Sequence, residues 1–398
     1  QITALAGLKA FTNAYFPIAE TGPSARLQAR IVDQYVGFVR SEDIASVTRG
    51  FTLALGVLPA KLVGSSANFP GATQAVLDVL IAASSPSFLV GVDPDAETRR
   101  NALEALVGVC QTVGFNTKGG LSLTQACLAW RTLLTGCEDY SMDKRGDIGS
   151  WSRLKAIRGL EAVARLVLPS LEQTEGGGIG THTVEEMEAE CRTLVTATTS
   201  ALVKQLSEKL NNVRRDAGAT LHRLLTDEGA VGAAYLKLTP DEGKEELLSA
   251  LGGRVPRDLN WSSAESTFPL VVRLLDSKTY REAVTAGISI SIGGLTEAVV
   301  KSSTSAFIQW AKRAEHEALE AVLVSLTQLF TRYRKHDRVV LPLFKTFDLL
   351  FSGDLPQLTT LLSTPVKAQQ ERLQDLGRKI CTAISKELKG STKVPKLI

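Results

Sequence analysis

One pattern constrains the fold more than any other: Asp-x5-Arg-x2-Ala-Leu/Ile-x2-Leu occurs twice, 54 residues apart. Asp93, Arg99, Ala102, Leu103 and Leu106 in the first copy match Asp147, Arg153, Ala156, Ile157 and Leu160 in the second. In each copy the Asp stands where its carboxylate can accept from a free backbone N–H at a helix start, and the apolar residues follow at helical spacing. The Arg is placed to pair with the Asp of a neighbouring copy. Asp93, Arg99, Asp147 and Arg153 are therefore expected to form a structural ladder between stacked helical hairpins. Arg145-Gly146-Asp147 spells an adhesion tripeptide, but three residues recur by chance and these belong to a longer turn pattern.

Helical periodicity dominates elsewhere. Val203, Leu206, Leu210, Val213, Ala217, Leu221 and Leu224 advance by three or four residues, placing one apolar stripe along a helix. Leu319, Val322, Leu323, Leu326, Leu329 and Phe330 form a second stripe, with Glu320, Thr327 and Gln328 expected on its solvent face. Strand signals are scarce; Ala286–Leu295 alternates briefly but reads as a buried helix. The fold class is all-α: an α-solenoid of degenerate HEAT/armadillo-like helical hairpin repeats. Asp276–Arg281 and Asp337-Arg338, each before an apolar helix, are expected to begin further repeats. Four glycines within Gly176–Gly180 cannot hold a helix. The expected domains are repeats over 1–171, a flexible Gly-rich linker over 172–183, and repeats over 184–398.

The balance of 44% hydrophobic and 22% charged residues is that of a globular chain, with no window near the ~20 apolar residues that span a bilayer. Cys110, Cys127, Cys137, Cys191 and Cys381 lack C-x-x-C spacing and read as reduced thiols, four of them in apolar helical surroundings. His182, His222, His316 and His336 do not supply metal spacing, so neither a metal nor a cofactor is expected. Gly176-Gly177-Gly178 lacks the Lys-Ser/Thr of a phosphate cradle, and Gly293-Gly294 is expected to bring two helices close together. With no converging acid, base or nucleophile in the pattern, the chain is read as a non-enzyme. A start at Gln1 suggests a piece of a longer protein. Between Lys367 and Lys396 eight basic residues face three acidic ones, which suits a solvated helix or an acidic partner. Nucleic acid and membrane are not expected partners.

Trp151 stands where the other copy has Glu97, beside Lys144 and Arg145. A Trp there either caps the hairpin core or anchors a partner, since Trp and Arg carry much of the energy of interfaces. Lys144, Arg145 and Trp151 are the candidate partner-binding residues.

The run from Cys137-Glu138-Asp139-Tyr140 to Arg153 resembles the tubulin-folding cofactor D family. So do Arg49-Gly50-Phe51-Thr52-Leu53-Ala54-Leu55-Gly56-Val57-Leu58-Pro59, Arg99-Arg100-Asn101 with Cys110-Gln111-Thr112-Val113-Gly114, Asn260-Trp261-Ser262, and Tyr280-Arg281 followed by Ile292-Gly293-Gly294-Leu295-Thr296-Glu297. These pieces are collinear and cover most of the chain, from about residue 40 to 350. The resemblance implies the C-terminal portion of a HEAT-repeat chaperone, cytoplasmic and cytoskeleton-associated. Its implied partners are β-tubulin and αβ-tubulin, the tubulin-folding cofactors C and E, and an Arf-like small GTPase. Two rival readings remain at this level: a HEAT scaffold of another kind, such as a transport receptor or phosphatase scaffold, and a regulator that supplies Arg145 or Arg153 to a GTPase.

Overall fold

The structure is a computed structural model that describes residues 2–15, 23–41, 44–65, 71–85, 95–117, 119–171, 183–253, 255–256, 259–294, 296–334, 336–353, 355–363 and 367–390; the side chains of 15, 23–29, 41, 367–369 and 388–390 are not included. Among the described residues there are nineteen α-helices and no strand, so the chain is all-α. In order they are α1 (Ile2–Tyr15), α2 (Pro23–Ser41), α3 (Ala45–Leu55), α4 (Ala60–Val63), α5 (Ala72–Ser84), α6 (Ala96–Val113), α7 (Leu123–Gly136), α8 (Gly149–Val167), α9 (Val184–Leu206) and α10 (Asn211–Thr226). They continue as α11 (Ala230–Leu238), α12 (Lys244–Leu251), α13 (Ala264–Val271), α14 (Arg281–Ile292), α15 (Glu297–Ala311), α16 (His316–Arg332), α17 (Asp337–Ser352), α18 (Pro356–Leu362) and α19 (Lys367–Gly390). No described helix is long and apolar enough to cross a membrane.

The chain divides into two units, Gln1–Thr198 with Asp227–Thr239, and Thr199–Thr226 with Pro240–Ile398. Of the expected linker over 172–183, only Thr183 lies among the described residues.

The first unit is built from helical hairpins. α2 packs on α3, α5 on α6 and α7 on α8, while α3, α6 and α8 form one layer and α2, α5 and α7 a second. Local sequence sets the helix starts. The Asp95 carboxylate accepts from the N–H groups of Glu97 and Thr98 at 3.0 and 3.1 Å, opening α6. Ser122 and Gln125 form a capping box that opens α7. Leu103, Leu106, Leu133, Ile157 and Leu160 are wholly buried between the layers. Close approach requires small residues: a Cβ on Gly159 of α8 would fall 2.6 Å from Leu133 and 2.7 Å from Val107. Trp130 is buried with its indole N–H donating to Thr198 Oγ1 at 2.8 Å.

In the second unit α14 is the core element, buried from Val284 through Ile292 and packed on α15, α16 and α17. Its hydroxyls survive burial because each donates to a carbonyl: Thr285 to Arg281, Ser289 to Thr285 and Ser291 to Ser207, at 2.6 to 2.7 Å. A Cβ on Gly293 would sit 2.5 Å from Pro342 of α17, so glycine here is what lets the end of α14 meet that helix. Glu208 and Arg338, both about 1% exposed, pair at 2.9 Å across 130 residues of sequence. Beside them the Lys204 ammonium bonds the Tyr333 hydroxyl and lies 4.8 Å from its ring centroid.

Two expectations are corrected. The stripe over Val203–Leu224 is not one helix but α9 and α10, broken at Ser207–Leu210. The break is stabilised by Arg214, wholly buried, whose guanidinium donates to the carbonyl of Glu208 at 2.8 Å and to Asn211 Oδ1 at 2.7 Å. Arg281 treats the carbonyl of Leu275 in the same way at 2.7 Å, six residues back. Glu320 is 8% exposed rather than solvent-facing, because α19 packs on α16 and brings Arg372 to its carboxylate at 2.7 Å.

Candidate interaction site

The turn before α8 organises the site. Asp143 and Gly146 exchange both backbone hydrogen bonds at 3.0 Å around Lys144 and Arg145. The φ of 103° at Gly146 is one that residues with a side chain rarely adopt, so glycine is required to close this turn. Asp143 completes it by accepting from the Arg145 N–H at 2.7 Å. Lys144 and Arg145 are thereby exposed at the tip, next to Met142, a large apolar side chain that is 55% exposed.

Arg145 does not wave in solvent. Its guanidinium bonds Asp143 at 2.7 to 2.8 Å and Glu97 Oε1 at 2.8 Å, and lies 5.0 Å from the ring centroid of Trp151. Trp151 is half-buried, with the Arg145 guanidinium over its ring. The other Glu97 oxygen is 3.4 Å from Arg49 of α3, and Arg49 Nε meets Asp95 at 2.9 Å. A row of alternating charges thus runs Asp95, Arg49, Glu97, Arg145, Asp143, crossing from α3 past the start of α6 to the turn before α8. The hydrogen bonds from Arg145 hold the Asp143 carboxyl below its ordinary range, and those same bonds raise Arg145 above its own.

Beneath this row lies a buried one. Arg99 Nε pairs with Asp139 at 2.9 Å, both side chains 6% exposed or less. Burial pushes the Asp139 carboxyl upward, but the Arg99 charge and bonds from Ser141 and Ser152 outweigh it and hold the group below the usual carboxylate value. Arg153, fully buried, donates to the Asp139 carbonyl at 2.6 Å and to both Asp147 oxygens at 3.0 and 3.2 Å, with its guanidinium 4.7 Å from the Tyr140 centroid. Gly149 fits only as glycine, since a Cβ would fall 2.2 Å from the Asp139 carbonyl oxygen.

The structure brings Lys144, Arg145 and Trp151 to one edge of the first unit, and places Arg99, Asp147 and Arg153 in the layer below. Arg153 reaches the Asp of its own repeat, whereas the bond of Arg99 to a neighbouring hairpin goes to Asp139. Asp93 lies outside the described residues; the carboxylate that caps α6 is Asp95. Asp139, Met142, Arg49 and Glu97 were missed. Glu97 carried a signal, being the residue aligned with Trp151, and the two do meet through Arg145.

The arrangement suits binding: exposed Met142, Lys144 and Arg145 stand on the turn before α8, and Arg145 is already held in place over Trp151 when a partner meets it. A model of the tubulin folding cofactor D C-terminal region matches residues 196–396. A Tubulin-specific chaperone D from Dictyostelium discoideum is 22% identical over 365 residues, covering 86% of this chain and 24% of the relative. The chain thus spans about a quarter of the length of that relative. With the family match extending over half of its residues, the chain belongs to the tubulin folding cofactor D family.

Proposed function

We propose that this chain is the client-holding, C-terminal part of a tubulin chaperone, acting by binding rather than by catalysis. It holds tubulin, as β-tubulin or as the αβ dimer, while the dimer is assembled or taken apart. Cofactors C and E and an Arf-like GTPase are its proposed co-workers, in the cytoplasm and at the cytoskeleton. A tubulin subunit outside its dimer exposes apolar interface, and stacked hairpins offer a wide surface to cover it. The observation that carries the reading, beside the family, is the Arg145–Trp151 pair: an exposed Arg on the turn before α8 held over the ring of a half-buried Trp in the first turn of that helix.

The reading as a GTPase regulator loses support from the burial of Arg153 and from the three contacts already made by Arg145. Family membership favours tubulin over transport cargo or a phosphatase.

The test is capture of purified tubulin by the Trp151→Ala variant, with its melting curve. A loss of about 2 kcal/mol or more in binding with an unchanged melt supports the reading. A lowered melt with a proportionate loss of all binding makes Trp151 packing, and a variant that binds tubulin as tightly as the parent removes this surface from the interface.

A further inference from the structure

The chain has two methionines, and the fold treats them oppositely. Met187 on α9 is 1% exposed, whereas Met142 is 55% exposed on the turn before α8. Of the large apolar side chains left exposed among the described residues, Met142 alone stands outside a helix and its caps.

A loose loop does not account for this exposure. On one side of Met142 the Ser141 N–H donates to Asp139 Oδ1 at 3.1 Å, and the Ser141 carbonyl accepts from the Gly149 N–H at 3.0 Å. On the other side Asp143 exchanges both backbone bonds with Gly146. Asp139 is itself held by the buried Arg99. Met142 is thus carried into solvent between two fixed neighbours, on the same turn that exposes Lys144 and Arg145. A thioether reacts with oxidants without first losing a proton, so access decides which methionine is reached. Four of the five cysteines, the competing sulfurs, are buried.

We propose that Met142 is an oxidation site and that its sulfoxide weakens the contact made by this turn. In the reaction with a hydroperoxide a sulfur lone pair attacks the outer oxygen, the S–O bond forms and the O–O bond breaks. The inner oxygen leaves with the bonding pair and takes up the proton of the outer O–H, ending as water or an alcohol. Sulfur is oxidised by two electrons and the peroxide is reduced by two. The product replaces an apolar, pliable side chain with a polar one, whose oxygen requires a hydrogen bond once a partner excludes water. The site of modification stands on exposure; its effect on binding rests on the functional reading given above, with tubulin as the partner.

The test uses the full chain carrying Cys381→Ser, which removes the exposed thiol that also consumes peroxide. The chain is treated with hydrogen peroxide, the peroxide is removed, and the peptides are weighed by mass spectrometry. Met142 should gain one oxygen roughly tenfold faster than Met187. Equal rates, or an unmodified Met142, overturn the site. Binding of purified αβ-tubulin to treated and untreated chain should differ by about fivefold or more, and the two methionine sulfoxide reductases, one for each epimer, should restore it. In a Met142→Leu chain, whatever its own affinity, treatment should change nothing. A treated parent that binds as tightly as the untreated one, or a Met142→Leu chain that loses as much on treatment, overturns the effect on binding and leaves the functional reading standing. Failure of the untreated parent to bind tubulin overturns that reading and the effect on binding together.

Discussion

Arg153 closes back on Asp147, six residues before it, and so fastens the turn ahead of α8 to the first two turns of that helix. The same guanidinium holds the Asp139 carbonyl, which brings Asp139 to Arg99 of the preceding hairpin. Two repeats are therefore joined through one buried arginine. Arg153→Ala takes the buried cation away from Asp147 and from the Asp139 carbonyl and should destabilise the first unit by about 3–5 kcal/mol. Arg153→Lys should recover little of it, because an ammonium cannot span both Asp147 oxygens and the Asp139 carbonyl. Thermal or denaturant unfolding of both variants checks this, and an unchanged melt for Arg153→Ala would show that the cluster contributes nothing.

Acid should loosen the same region. The folded Asp139 carboxyl titrates below the ordinary carboxylate value, so its contribution to stability is fully present above about pH 5 and is lost as pH falls through the folded value. Unfolding followed between pH 6 and pH 2 should show a fall in stability of the parent in the acid part of that range. Asp139→Asn, already without the charge, should be less stable at neutral pH and should flatten that part of the profile.

The thiols should separate by accessibility. Cys110, Cys127, Cys137 and Cys191 are buried, and desolvation pushes Cys110, Cys127 and Cys191 up to about 12, which keeps them as thiols at neutral pH. Cys381 on α19 is exposed. Alkylation of the native chain at mild alkaline pH, read by mass spectrometry, should modify Cys381 first and the other four only on unfolding. Rapid native labelling of Cys110 or Cys127 would mean that the first unit opens locally.

The Glu208–Arg338 pair offers a contrast between breaking and replacing. Glu208→Gln should be costly, on the order of 3 kcal/mol, because Arg338 stays charged in a site about 1% exposed. Replacing both residues with apolar ones of similar size should be much milder. A double-mutant cycle in denaturant measures the difference.

Much of this was legible in the sequence and some could not be. Spacings of three and four announced the helices, and the part of the Ala286–Leu295 run up to Ile292 is the buried helix that its short, Gly- and Ser-containing apolar pattern suggested. The break at Ser207–Leu210 was not visible, since Val203 through Leu224 continues the apolar rhythm across it, and only the fold shows Arg214 reaching back to hold the turn. Glu320 was misplaced because its exposure depends on α19, fifty residues further on. At the site, residue type alone pointed to Lys144, Arg145 and Trp151, and the structure places the first two exposed on the turn before α8 and Trp151 half-buried in its first turn. The contact between Arg145 and Trp151 is local, but the link through Glu97 to Arg49 depends on segments 48 residues apart coming into register, which no local pattern encodes.

Glu97 is the only described residue with one oxygen toward Arg49 and the other toward Arg145, which makes it a rivet between three successive hairpins. A pile of hairpins bends most easily by sliding along its apolar faces, where contacts are non-directional, but bending that spreads this edge must pull charges apart. The first unit should therefore be stiffer toward one direction of curvature than the other, and its compliance should rise with ionic strength, as screening weakens the rivet while leaving the apolar faces in place. The first unit would then have, in a single carboxylate, a spring constant set by its surroundings.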